Sequence, residues 1–166
     1  MGLHAAGRGL KARICMPAPL LVFGWGNASR GDDALGPLFV QRLTDMLDAA
    51  QRSRVELLEE YQLQVEHALD LVGRERVLFV DASVEAAAPF VAEPVLAAEA
   101  AEAASHALAP AALLRVYRQL EGQAAPPCTL LAIRGERFGL GESLSDAAAS
   151  NLDAALRWAH AWVGES

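Results

Sequence analysis

Short apolar runs alternate along the chain with segments of helical periodicity, and this alternation limits the possible folds more than any other feature. LLVFGW (20–25) is apolar at successive positions, and RVLFVDA (76–82) has four successive apolar residues before Asp81, which is typical of strands buried on both faces. Strands that alternate with helices form a parallel sheet with helices on both faces. We therefore expect an α/β fold, a three-layer twisted and mostly parallel sheet. The remaining predicted strands are 55–61, 128–135 and an edge strand within 90–96, and the predicted helices are 34–50, 64–72, 106–120 and 145–163.

The length and the balance of residue types predict a single domain. The chain has 166 residues, of which 53% are hydrophobic and 21% charged, so it can bury a sizeable core. We expect residues 1–16 to be a disordered extension and residues 17–166 to form the domain. No apolar stretch is long enough to span a membrane, and we expect a cytoplasmic protein.

Charge and cysteine content exclude several classes of function. The formal net charge is -7, and no cluster of Lys and Arg supplies the basic face that a nucleic-acid-binding protein needs. Cys15 and Cys128 do not form a CxxC pair, so a disulfide framework or a structural zinc site is not expected.

Acidic side chains stand at the ends of three predicted strands. Asp32 and Asp33 follow the first strand, Glu59 and Glu60 end the second, and Asp81 ends the third. In an open α/β sheet, ligands bind beyond the carboxyl ends of the strands. If these strands are parallel neighbours, their acids lie along one edge and form a candidate site.

His106 is a candidate fourth member of this group. It stands at the start of a predicted helix for which Ser105 is the expected N-cap, and a helix N-terminus disfavours the imidazolium form. A neutral imidazole beside carboxylates can be a metal ligand for Zn, Ni or Mn, or a general base. The position alone also fits an ordinary surface histidine.

The turn after the first strand has a purely structural interpretation as well. Gly24 and Gly26 would give the backbone its freedom to turn, and Asp32 or Asp33 would be the N-cap of the following helix. Capping accounts for one aspartate and leaves the other, and Asn27, without a role. Asn27 can hydrogen-bond a developing oxyanion or fix the turn, and we favour the turn.

The segment GWGNASRGDDALG (24–36) resembles the G-x-G-N-x-x-x-x-D-D/E-x-x-G signature of the hydrogenase maturation proteases. RVLFVDAS (76–83) and SHALAPAALLRVYRQL (105–120) are similar to the second and third motifs of that family, in the same order. The resemblance extends over residues 20–163. It implies a phosphorylase/hydrolase-like fold and a cytoplasmic endopeptidase, classed as an aspartic-type hydrolase.

The resemblance also implies a substrate and a set of site residues. Family members remove the C-terminal extension of a nickel–iron hydrogenase large-subunit precursor after nickel insertion. By the resemblance, Asp33, Asp81 and His106 are the catalytic and metal-contacting residues. The nickel is expected to be that of the substrate, and the protease is expected to be a monomer. Supporting positions are Gly24, Gly26, Asn27, Asp32 and Glu59.

Several positions depart from the family pattern. Ala34 replaces a common glycine, and EEYQLQVEHALDL (59–71) replaces a common Asp-Gly-x-Thr turn. This segment is more similar to the branch that serves soluble NAD-reducing hydrogenases. Two other functions stay open: a non-catalytic nickel-binding maturation chaperone and a nucleotide-binding α/β module. Ser29 stands where a dinucleotide fingerprint has its third glycine. This weakens the nucleotide-binding alternative.

Overall fold

A computed structural model describes residues 16–99 and 108–165. The predicted extension, apart from the exposed Met16, therefore lies outside the described residues. No helix in the described ranges is long and apolar enough to cross a membrane. The strands are β1 (Leu20–Trp25), β2 (Val55–Glu60), β3 (Arg76–Ser83), β4 (Phe90–Pro94) and β5 (Cys128–Arg134), and the α-helices are α1 (Leu35–Met46), α2 (Ala49–Arg54), α3 (Pro110–Glu121) and α4 (Asp146–Gly164).

The sheet confirms the predicted architecture. Its strand order is β2-β1-β3-β5-β4, and the first four strands in this order are parallel while β4 runs antiparallel at the edge. Gly24 in β1 pairs with Glu59 on one side and Val80 on the other. The carboxyl ends of β2, β1 and β3 are therefore neighbours, as the strand-end interpretation requires. Pro94 ends the edge strand, where a residue without an N–H group is tolerated.

Alternation along the central strands divides the core into two layers. Val22 and Leu78 pack with α1 and α4 on one face, whereas Phe23 and Phe79 pack with α3 on the other. A strand buried on both faces has no polar side, which explains why β1 and residues 77–80 of β3 are apolar. By the same alternation, Asp81 belongs to the face of Phe79 and α3.

The predicted helix over 34–50 is interrupted. A 3₁₀ turn (Gly31–Ala34) precedes α1, and the chain becomes extended at Leu47 before α2 begins. Asp48 caps α2, because its side chain accepts from the Gln51 N–H while the Gln51 side chain accepts from the Asp48 N–H. This reciprocal pair is a strong helix start, so it divides an otherwise continuous apolar stripe.

The remaining helices agree with expectation to different degrees. Residues Val65–Leu71, predicted as a short helix within 64–72, form a 3₁₀ helix. Ser145 caps α4 as predicted, with its side chain accepting from the Ala148 N–H. The expected cap at Ser105 is wrong for α3: that helix begins at Pro110, and Ala109 is its N-cap. Proline at the first helical position needs no hydrogen-bond acceptor, which favours this start.

Candidate active site

The turn after β1 holds Asp33 in a fixed position. The Asn27 N–H donates to Asp33 Oδ2 at 2.7 Å, and the Gly26 N–H donates to the Glu60 carbonyl at 3.2 Å. The Asn27 side chain uses both of its ends, because Oδ1 accepts from the Ser29 N–H at 2.9 Å and Nδ2 donates to the Tyr61 hydroxyl at 3.0 Å. Asn27 therefore ties the turn internally and joins it to the end of β2.

Asp32 has a different role from its neighbour. Its buried carboxylate accepts from the N–H groups of Glu136, Arg137 and Ser145 and from the Ser145 hydroxyl, at 2.7–3.0 Å. Burial alone would raise the pKa of Asp32, but these hydrogen bonds outweigh it and hold the pKa below its ordinary value. Asp32 thus fastens the turn to the loop between β5 and α4.

Neither aspartate is a helix N-cap, so the capping interpretation is wrong. The residue before the 3₁₀ turn is Arg30 and the residue before α1 is Ala34, and neither makes a side-chain cap hydrogen bond. Asp32 and Asp33 instead lie inside the 3₁₀ turn. The Asp33 carboxylate accepts from Asn27 directly after β1, and the Asp32 carboxylate accepts from the segment between β5 and α4.

Asp33 and Asp81 converge at the carboxyl edge of the sheet. Burial raises the pKa of Asp81 to about 7, against a smaller lowering by a hydrogen bond from the Ala82 backbone, and the charge of Asp33 raises it further. Two carboxylates affect each other in this way only when they are close in space. The structure therefore brings together two of the three residues predicted as ligands.

The surroundings of Asp81 explain its desolvation. Phe23, Trp25 and Phe79 form an aromatic cluster on the α3 face, with ring centroids 6.0–6.4 Å apart. By strand alternation, the Asp81 side chain lies on the same face of the sheet as Phe79 and this cluster. Low polarity disfavours the charged form, and the neutral acid is favoured up to near-neutral pH.

Glu59 does not belong to this group. Its carboxylate accepts from Gln41 Nε2 of α1 at 3.1 Å, on the opposite face of the sheet from Asp81. Glu60 occupies the α3 side instead and lies 3.8 Å from Nε2 of His67. The acid of β2 that faces the candidate site is therefore Glu60, since one step along a strand changes the face.

His67 is a buried histidine that was not among the predicted site residues. The side chain is buried against Phe23 with a ring-centroid distance of 4.7 Å, and Nδ1 accepts from the Gln64 N–H at 2.8 Å. When the imidazole is neutral, its proton is then on Nε2, which faces Glu60. The Gln64-x-x-His67 spacing, a capping arrangement at the start of the 3₁₀ helix, was the available signal.

His106 lies outside the described residues, so its relation to Asp33 and Asp81 stays a prediction. It precedes Pro110, the first residue of α3, which packs on the face that carries Asp81. Over the two described ranges, no group of three or more His, Cys, Asp or Glu side chains can hold a metal ion. Two carboxylates alone are an incomplete ligand set for a borderline metal.

Cys128 is not a candidate nucleophile. It begins β5, at the end of the sheet opposite the carboxylates, and its Sγ donates to the Pro126 carbonyl at 3.1 Å. Burial raises the pKa of the thiol to about 12. The reactive thiolate is therefore absent at neutral pH.

Several solved structures with this architecture are described as hydrogenase maturation proteases. The nickel–iron hydrogenase maturation protease HycI from Thermococcus kodakarensis KOD1 aligns with a TM-score of 0.69 at 18% identity, over 89% of this chain and 94% of its own. The hydrogenase maturating endopeptidase HybD from Escherichia coli gives 0.69 at 23% identity, over 87% and 91%. The hydrogenase 2 maturation peptidase from a Thaumarchaeota archaeon gives 0.61 at 21% identity, over 87% and 97%.

These likenesses show that the chain has the fold of those proteins. No protein-family model matches the sequence, and no curated protein matches it either. The alignments with the first two of these structures include 89% and 87% of the chain.

Proposed function

We propose that this protein is an endopeptidase that removes the C-terminal extension from a nickel–iron hydrogenase large-subunit precursor after nickel insertion. The observation that carries the proposal is the parallel pairing of β1 and β3, which puts Asp33 and Asp81 after neighbouring strands in a fold shared with solved maturation proteases. Fold alone does not define an activity. The proposal therefore depends on the acids, their positions within the sequence motifs and their electrostatic coupling.

The carboxylates suit recognition of a metal that the substrate presents. Asp33 is fixed by the Asn27 N–H, and Asp81 lies next to it with a raised pKa. With His106 as the third ligand, this set binds a borderline cation weakly by itself and more strongly when the substrate's own ligands complete the coordination. Nickel in the precursor would then signal that the precursor is ready for cleavage.

Asp81 is also suited to proton transfer. Without a cation, a carboxylate with a pKa of about 7 accepts a proton more readily near neutral pH than an ordinary aspartate does. A coordinated cation would lower that pKa, so in this route Asp81 does not itself coordinate the nickel. In the proposed step, water attacks the scissile carbonyl carbon and Asp81 accepts the proton. That proton passes to the leaving amide nitrogen as the C–N bond breaks, which gives a new C-terminal carboxylate and a free amine. The substrate's nickel supplies positioning and charge stabilisation.

The hydrogen bonds of the turn argue against a nucleotide-binding module. A phosphate cradle needs free backbone N–H groups directed at the ligand. Here the turn's N–H groups donate to acceptors within the protein, and two carboxylates beside them would repel phosphate. The N–H groups with internal acceptors are those of Gly26, Asn27, Ser29, Arg30, Gly31, Asp32 and Asp33.

The test follows the mass of a purified large-subunit precursor, with and without nickel, during incubation with the protein. Loss of a C-terminal peptide from the nickel-loaded precursor alone is expected. The Asp33→Asn variant should abolish the cleavage, whereas Asp45→Asn, at an exposed carboxylate of α1, should not. Nickel transfer without a change in precursor mass would instead identify a chaperone and overturn the proposal.

A further inference from the structure

The segment that follows β2 exposes apolar side chains to solvent. We call Tyr61, Val65, Leu69 and Val72 the apolar stripe. Tyr61, Val65 and Leu69 are 65%, 54% and 63% exposed, and Val72 is 39% exposed. Val65 and Leu69 belong to the 3₁₀ helix, Val72 is its C-cap, and Tyr61 precedes the helix directly after β2.

The opposite side of the same segment is buried in the core. His67, Ala68 and Leu71 pack against the α3 face of the sheet. The stripe therefore consists of two exposed residues of an anchored 3₁₀ helix and one exposed residue on either side of that helix, and no other part of residues 16–99 and 108–165 buries it. Single exposed apolar residues are ordinary, but neighbouring ones on a fixed element mark an interaction site.

The stripe is continuous with the candidate active site. The Tyr61 hydroxyl accepts from Asn27 Nδ2, and Asn27 in turn donates its N–H to Asp33. The Glu60 carbonyl, one residue before the stripe, accepts from the Gly26 N–H. A partner whose peptide reaches Asp33 and Asp81 would therefore meet the stripe beside the site.

Acidic residues border the stripe. Residues 55–73 contain five Asp or Glu and no Lys or Arg. Two of these acids have other partners, because Glu56 is paired with Arg74 and Glu59 accepts from Gln41 on the other face of the sheet. Glu60 and Glu66 are exposed. An apolar surface with an acidic border is complementary to an apolar surface bordered by Lys or Arg.

We propose that the apolar stripe is the docking surface for the large-subunit precursor, through an apolar patch of the precursor that is bordered by basic side chains. This inference rests on the proposed function for the identity of the partner. The stripe holds the folded body of the precursor, while Asp33 and Asp81 act on its C-terminal extension. Docking energy remote from the cleavage site then favours the whole precursor over a free peptide.

The first experiment measures processing of the nickel-loaded precursor by a Val65→Ser, Leu69→Ser double variant. We expect KM to rise on the order of tenfold and kcat to stay within about twofold, because the lost contacts are distant from the reacting bond. Leu120→Ser is the matched control, since Leu120 of α3 is 60% exposed and lies outside the stripe. Unchanged KM in the double variant, or an equal rise in the control, would overturn the proposal.

Binding measured apart from cleavage separates failure of docking from failure of the proposed function. Calorimetry compares two proteins that do not cleave, Asp33→Asn alone and Asp33→Asn combined with Val65→Ser and Leu69→Ser. The combined variant should bind the nickel-loaded precursor more weakly. If the unmodified protein binds but does not cleave, the proposed function fails and the docking surface stands. If the Val65→Ser, Leu69→Ser variant cleaves the precursor as the unmodified protein does, the docking proposal fails and the proposed function stands.

A charge reversal tests the chemistry of the partner. Glu66→Lys should weaken precursor binding several-fold at low salt, with a smaller effect at high salt, whereas Glu121→Lys at the end of α3 should not. Stronger binding by Glu66→Lys would contradict the proposal that basic side chains border the apolar patch of the precursor. A dimer of the unmodified protein that the double variant dissociates, seen by sedimentation velocity, would assign the stripe to a second copy and overturn the proposal.

Discussion

The charge of Asp33 raises the pKa of Asp81 although the two residues belong to different elements of the chain. Asp33 lies in the turn after β1, and Asp81 lies near the end of the adjacent strand β3. Parallel pairing of these strands brings both carboxyl groups to one edge of the sheet. The fold therefore maintains a repulsive pair, which is the arrangement expected of a site that receives a cation or a proton.

Replacing Asp81 by Asn should stabilise the protein at neutral pH. The folded-state pKa of Asp81 is about 7, above its ordinary value, so the folded state binds more protons than the unfolded state between about pH 4 and pH 7. The free energy of unfolding of the unmodified protein therefore falls as pH rises through this window. We expect Asp81→Asn to be more stable at pH 7 by roughly 1–3 kcal/mol, after allowance for solvent screening.

Urea unfolding at several pH values measures this difference. The gap between Asp81→Asn and the unmodified protein should be small near pH 4 and should grow towards pH 7. A gap that does not depend on pH would show that Asp81 titrates normally, as an ordinary solvated carboxylate does.

Replacing Asp32 by Ala should destabilise the protein by roughly 3–5 kcal/mol, because several buried donors lose their acceptor together. The pKa of Asp32 is lowered in the folded state, so its stabilising contribution is present above the ordinary pKa and is lost as pH falls below it. Thermal unfolding should show the loss at neutral pH and a smaller difference in acid. Asp146→Ala, at an exposed carboxylate in the first turn of α4, is the control.

Replacing Gly26 by Ala should move Asp33 and reduce activity. Gly26 has φ of 151°, and a Cβ atom there would collide with the Asp33 carbonyl oxygen. We expect a loss of roughly 2–4 kcal/mol in stability, together with reduced precursor cleavage. Gly141→Ala is a matched control, because Gly141 also has positive φ (80°) but has open space around it. Equal effects of the two substitutions would show that backbone strain alone accounts for the loss.

The strands could be predicted because their signals are local, whereas the pairing of β1 with β2 and β3 was only a condition of the strand-end interpretation. Residues 20–25 and 77–80 are apolar on both faces, and Ser145 is a recognisable helix cap. The division of the first helix also had a local signal, since Asp48 and Gln51 form a capping box, but the apolar periodicity continues across it and concealed the break.

The role of Asp32 could not be predicted from its neighbours in sequence. Its hydrogen-bond donors lie more than a hundred residues away in the loop after β5, and only the folded chain brings them together. Glu59 and Glu60 show a related limit, because adjacent residues of a strand point to opposite faces and the sequence does not say which face carries the site. To predict that Asp81 lies at the same edge of the sheet as the turn after β1, it was enough to assume that β1 and β3 pair in parallel.

A carbon-13 NMR titration of the Asp81 carboxyl group tests the coupling of Asp33 and Asp81 most directly. In the unmodified protein the titration midpoint should lie close to pH 7. In Asp33→Asn it should move to lower pH, because one of the two causes that raise the pKa has been removed, while Asp45→Asn should leave it in place. A midpoint near pH 4 in the unmodified protein, or one that Asp33→Asn does not move, would contradict a shared site.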